Sequence, residues 1–93
     1  MNYLDLLNGL GRRVKPATSA FRPAEALEAP LGETGLDSLD VTMLAVYVCE
    51  LFAIPEAIGK DFAPKTFADV VAFIDQHATR RPASLDEAFA AVS

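Results

Sequence analysis

The run from Val41 to Ile54 constrains this chain more than any other stretch. It is apolar at every position except Thr42 and Glu50, and Pro55 follows it. Proline cannot continue a helix, so the run is expected to be a helix that stops before residue 55. A membrane span needs about 20 apolar residues, and this run is too short for one. It is therefore either the central helix of a small core or a helix that offers one face to a partner. A chain of 93 residues and 10.0 kDa would leave roughly 5,200 Å² accessible of about 14,500 Å² unfolded, enough for one core and no second.

The remaining elements follow from spacing. Leu4, Leu6, Leu7, Leu10 and Val14 recur at helical intervals and predict a first helix from Asn2 to Val14, with Asn2 as N-cap and Gly9 and Gly11 as its weak points. From Lys15 to Gly35 the chain has Pro16, Pro23, Pro30, Gly32 and Gly35, which predicts a long loop with at most a helical turn at Ala24 to Glu28. Loops this long are uncommon in compact domains and often functional, so the end of this one is the place to look for a site. Lys60 to Lys65, with Pro64 inside, can hold a short turn of helix. Thr66 as N-cap, with Phe67, Val70, Val71 and Ile74, predicts a last core helix ending near His77. Beyond Pro82, Ser84 and Glu87 have capping-box spacing ahead of Leu85, Ala88, Phe89 and Val92, which predicts a short amphipathic tail helix. No stretch reads as a strand or a repeat. The expected fold is all-α, a small bundle of three main helices plus short ones with a long first loop.

Apolar residues make up 52% of the chain, too many for intrinsic disorder. The net charge of −5 and the pI near 4.6 argue against nucleic acid or an anionic membrane as partner and favour a basic protein. Residues 1–22 carry a net +3, residues 23–59 a net −7 with no Lys or Arg, and residues 60–93 a net −1. The plain explanation of the acidic middle is a solvated face. Cys49 is the only cysteine, which fits a reducing compartment and leaves no disulfide framework. The first residues lack a charged segment followed by an apolar one, so a cytoplasmic protein is expected.

The loop ends in Leu31-Gly32-Glu33-Thr34-Gly35-Leu36-Asp37-Ser38-Leu39. Ser38 falls where helix N–H groups point outward and the helix dipole favours negative charge, a suitable place for a phosphate ester. Asp37 beside it is a carboxylate that can help hold a divalent cation during phosphate transfer. Taken alone, Asp37 or Ser38 is simply an N-cap.

The wider pattern points further. Gly35-Leu36-Asp37-Ser38-Leu39, four residues after Leu31, resembles the attachment motif of acyl carrier proteins. The likeness runs from Asn2 to His77 and includes the length, the acidic pI, the long first loop, Phe52-Ala53-Ile54-Pro55 closing the second helix and Thr66-Phe67-Ala68-Asp69-Val70 opening the last. It implies a carrier domain over residues 1–78, a C-terminal extension over residues 79–93, and a monomeric, non-enzymatic protein with no membrane span and no nucleic-acid partner. In that family a phosphopantetheinyl transferase moves 4′-phosphopantetheine from coenzyme A onto the motif serine, here Ser38. Acyl groups then ride on the arm's thiol as thioesters. The partners implied are that transferase and the synthases, ligases and acyltransferases that load and use the acyl group in fatty-acid, lipid or polyketide synthesis. Asp37 matches the aspartate associated with Mg²⁺ during transfer, and Leu39 the hydrophobic residue after the serine; no resident metal is implied. Gly35-Leu36-Asp37-Ser38 looks more like the acyl or polyketide type than the peptidyl or aminoacyl type, which stays as an alternative. Cys49 reads as a small buried hydrophobe and not as the carrier thiol.

The chain departs from the family on its second helix. Met43, Cys49 and Leu51 stand where fatty-acid carriers have acids, leaving Glu50, with Asp40 and Glu33 near Ser38. Some of Met43, Tyr47 and Leu51 are expected to face outward, either as scattered apolar surface or as a docking surface for a dedicated partner. Recognition by the transferase and other partners is accordingly expected at Asp37, Leu39, Asp40, Met43, Tyr47 and Glu50. Thr34, where the family often has Leu, is expected to loosen the loop, with Leu31 and Leu36 as anchors. The tail either packs on the bundle, contacts a partner or stays disordered.

Other classes fare worse. No Gly-x-Ser-x-Gly elbow supports a hydrolase built on Ser38 and His77, and His77 is better placed to meet helix-end carbonyls. Glu33, Asp37 and Asp40 lack calcium-loop spacing, and no His or Cys pair supports zinc. The main rival is a helical interaction module in which Ser38 is the N-cap.

Overall fold

The computed structural model describes residues 2–15 and 21–92. Residues 16–20, expected within the long loop, lie outside the described residues. Among the described residues five α-helices follow one another: α1 Tyr3–Val14, α2 Ser38–Leu51, α3 Glu56–Gly59, α4 Phe67–His77 and α5 Leu85–Ala91. A 3-10 turn, Leu31–Thr34, precedes α2. Among the described residues there is no strand, only a single bridge between Pro30 and Thr66. The expected all-α bundle of three main helices plus short ones is what the chain forms. Its accessible surface of 5442 Å² lies close to the value its mass calls for.

Local chemistry sets most helix starts. Asn2 caps α1 by accepting the Asp5 N–H at 3.1 Å. Thr66 and Asp69 form a reciprocal capping box on α4, and Ser84 caps α5 by accepting the Glu87 N–H. Leu6, Leu7 and Leu10 of α1, Leu44 and Val48 of α2, Phe52, and Phe67, Val70 and Ile74 of α4 fill the core, each at most 1% exposed. α5 lies on α1, with Ala88 fully buried and the Phe89 ring seated where Gly9 has no side chain. Arg13 lies over that ring at 4.5 Å. The tail therefore packs on the bundle.

Two boundaries differ from expectation. α2 ends at Leu51, not Ile54. Ala53 takes a left-handed backbone with φ 50°, and Ile54 precedes a proline, which disfavours helix. The carbonyls left over at this end are taken by the segment after α4. Phe52 O accepts from the N–H groups of Thr79 and Arg80, Ala53 O from the Thr79 hydroxyl at 2.6 Å, and Glu50 O from the Arg80 guanidinium at 3.1 Å. The short helix before α4 is Glu56–Gly59, not a turn within Lys60 to Lys65. Pro55 fixes the backbone entering it, and Phe62 then leaves the helical path to stack on Phe73 at 4.0 Å.

Among its described residues before Leu31 the long loop has no regular element, only a turn at residues 27–28, yet these residues are pinned. Asn8 pairs with Ala24 in both directions, accepting its N–H at 2.7 Å and donating to its carbonyl at 3.0 Å. Arg22 N donates to Thr34 O, Leu31 N to Lys65 O, and Ala68 N to Leu27 O. These bonds carry the chain across α1 and the start of α4 and deliver it to the first turn of α2.

Candidate functional site

The loop ends in a tight sequence of conformations. Gly35 has φ 86°, a left-handed backbone that a side chain would strain. That turn sends Leu36 into the core at 6% exposure and leaves Asp37 extended as the N-cap of α2. Thr34 does not loosen the loop. It is 1% exposed, its hydroxyl donates to Leu31 O at 2.5 Å, and it accepts the Leu36 N–H at 3.4 Å. The hydroxyl pairs with a backbone carbonyl and a backbone N–H of the turn and so braces it.

Asp37 and Asp40 form a capping box: Asp37 Oδ1 accepts the Asp40 N–H at 2.9 Å, and Asp40 Oδ2 accepts the Asp37 N–H at 3.0 Å. Ser38 is thus the first residue of the helix and not its N-cap. The aspartate wins because it has a partner acid three residues on. Ser38 is exposed and its hydroxyl makes no hydrogen bond among the described residues, while its carbonyl accepts from the Thr42 hydroxyl at 2.9 Å. A nucleophilic oxygen therefore stands clear of the protein on a fixed helical turn.

Lys15, the C-cap residue of α1, reaches the same turn, with its Nζ 2.7 Å from Asp40 Oδ2. The Lys15 ammonium, helped by the Asp37 N–H, holds the Asp40 carboxyl below the ordinary carboxylate range. Asp40 is consequently tied up within the molecule, whereas Asp37 and Glu50 remain exposed. Nothing in the sequence marked Lys15, because the contact joins residues on either side of the long loop.

α2 presents one row to solvent and a second toward a groove. Leu39, Met43, Val46 and Glu50 share one stripe at i, i+4, i+7, i+11 spacing, with Leu39 76%, Met43 45% and Val46 46% exposed. Leu51, expected as a candidate for the surface, is buried, and Tyr47 is half-buried against the core. Val46 was missed as an outward residue, although its spacing from Leu39 could have revealed it. The second row begins at Ser38 and continues as Thr42, Ala45 and Cys49, which, with Val46, line one wall of a groove of about 510 Å³. Ala57 and Gly59 of α3 and Phe62 are on its other side. Cys49 is buried, its sulfur lodged against the bare Cα of Gly59. Burial, with the Glu56 carboxylate nearby, pushes its thiol pKa up, so it stays neutral and unreactive.

His77 ends α4, half-buried, with its ring tilted against Phe73 at 5.0 Å. Among the described residues, no three His, Cys, Asp or Glu side chains are grouped to hold a metal ion, and no helix is long and apolar enough to cross a membrane. Comparison with known protein families, curated proteins and solved structures finds no match to this chain.

Proposed function

We propose that this chain is a carrier of acyl or polyketide intermediates, with Ser38 as the attachment point for 4′-phosphopantetheine. The observation that carries the reading is the free Ser38 hydroxyl on the first turn of α2, presented by the Gly35 turn and the Asp37–Asp40 box. That arrangement fits the group: an exposed oxygen at a helix start accommodates a phosphodiester without burying its charge. On transfer by a phosphopantetheinyl transferase, the serine oxygen bonds to the phosphorus of the pantetheine phosphate. The pyrophosphate link of coenzyme A breaks, its nucleotide portion leaves, and the serine proton passes to a base of the transferase. Asp37, exposed beside Ser38, is placed to help hold the Mg²⁺ of that step. When attached, the arm supplies a thiol that holds acyl groups as thioesters.

Two further features support this reading. The groove below Ser38 is lined by Ala45, Val46, Cys49, Ala57 and Phe62, with Thr42 and the charged Glu56 and Lys60, and offers an apolar chain a wall to lie against. The Leu39, Met43 and Val46 stripe offers transferases, synthases, ligases and acyltransferases a more apolar address than an acidic helix would. The chain itself needs no catalytic residue, since the chemistry belongs to the arm and to the enzymes that dock.

Intact-protein mass tests this. After incubation with coenzyme A, Mg²⁺ and a broad-specificity transferase, the wild type should gain one phosphopantetheinyl group and Ser38→Ala none. Because Ser38 is not the cap and its hydroxyl makes no bond among the described residues, Ser38→Ala should change stability by no more than about 0.5 kcal/mol, so loss of labelling would not reflect unfolding. An unlabelled wild type, also with a transferase from the same organism, would leave the interaction module as the better reading.

A further inference from the structure

The carrier reading assigns no role to Lys15. Its ammonium sits 2.7 Å from Asp40 Oδ2, and the two side chains are 15% and 14% exposed, so this is not a solvated surface pair of the kind that salt erases. The same Oδ2 accepts the Asp37 N–H, which makes Lys15 the third member of the cap that shapes the Ser38 turn. Its reach is set by α1, since the Lys15 N–H closes that helix on Gly11 O at 3.1 Å. The other cations at this end of α1 are engaged elsewhere, Arg12 over the Phe21 ring and Arg13 over the Phe89 ring.

We propose that Lys15 is a positioning residue for the reaction at Ser38. By bridging α1 to Asp40 it holds the first turn of α2 in the arrangement that leaves the serine hydroxyl free, and it offsets one of the two carboxylates of that turn. The inference rests on the carrier reading. Its logic is geometric: the bridge fixes the Asp40 carboxylate, whose Oδ2 accepts the Asp37 N–H, and with it the turn that bears the serine. A turn no longer braced from α1 would present the serine oxygen in several orientations, and loss of orientation lowers the rate of transfer more than it weakens docking.

The test is the rate of phosphopantetheine transfer onto the full chain, by intact mass at saturating coenzyme A, for wild type, Lys15→Met, Lys15→Arg and Asp40→Asn. Urea unfolding confirms that each variant is folded. Lys15→Met should lower kcat about tenfold, with KM for the carrier within about twofold of wild type. Lys15→Arg, which keeps the charge and reach, should recover to within about threefold of wild type. A folded Lys15→Met with wild-type kcat would overturn the proposal, as would a loss confined to KM or an arginine variant no better than methionine. Should Lys15→Met fail to fold, Asp40→Asn decides by the same readout, an unchanged kcat overturning the proposal. An unlabelled wild type would instead bring down the carrier reading and this inference with it, so the two failures are distinguishable.

Discussion

α1 and α2 pack on each other and have similar lengths, 12 and 14 residues, yet they dispose of their apolar side chains in opposite ways. In α1, Leu6, Leu7 and Leu10 are fully buried, Tyr3, Leu4 and Val14 are half-buried against the core, and the exposed positions are Asp5, Arg12 and Arg13. Folding alone accounts for that pattern. α2 buries Leu44, Val48, Cys49 and Leu51 but leaves Leu39, Met43 and Val46 in water. The exposed apolar row adds nothing to the core, and it lies on the helix that carries Ser38.

Matched substitutions on the two helices test this directly. Leu7→Ala in α1 should cost about 2–5 kcal/mol in urea unfolding, because it opens a cavity in a closed core. Leu39→Ala in α2 should fall within about 0.5 kcal/mol of wild type. Leu39→Glu and Met43→Glu should leave the fold intact and slow cargo loading by the cognate partner. Equal stability losses at Leu7 and Leu39 would erase the contrast, and unchanged loading would reduce the stripe to ordinary surface.

A smaller effect is expected where α1 serves the loop. Asn8→Ala removes both bonds to Ala24 and leaves a part-buried N–H and carbonyl without partners, which should cost about 1–3 kcal/mol. Hydrogen exchange should then rise at Ala24 and Arg22 ahead of the core helices.

The smallest effect is pH-dependent and belongs to the α2 start. The Asp40 carboxyl lies below its unfolded value, so its stabilising contribution is present above the ordinary carboxylate range. It is lost as pH falls through that range and through the lower folded-state value. Asp69 at the α4 cap is lowered too, through the Lys65 and Thr66 N–H groups, and adds to the same slope. Stability measured from neutral pH down to about pH 3 should fall less steeply in Asp40→Asn than in wild type. Identical slopes would mean that the Lys15 pair does not form in solution.

Much of the fold could be read from the sequence where the physics is local. Asn2, Thr66 and Ser84 cap the helices they precede, and the 3.6-residue spacing of α1 and α4 selected Leu6, Leu7, Leu10, Phe67, Val70 and Ile74 of the core, though not Phe73, because an amphipathic pattern carries its own orientation. Ser38 stood out for another reason, as part of a short motif at the end of the long loop that resembles a carrier attachment site. The capping role was left open between Asp37 and Ser38, although Asp40 three residues beyond Asp37 carried the signal that settles it. The short helix at Glu56 was misplaced because four residues carry too little periodicity to locate.

What the sequence determined by itself was the helical class and the caps of α1, α4 and α5, since each depends on residues within a few places of one another. Only the tertiary structure decided which faces of α2 are buried, because a helix apolar all round has no pattern from which to read an orientation. It also decided that the loop is pinned through Asn8, Thr34 and Leu31, and that Lys15 meets Asp40. Those contacts join residues brought together only when the core closes, and nothing local to either partner records them.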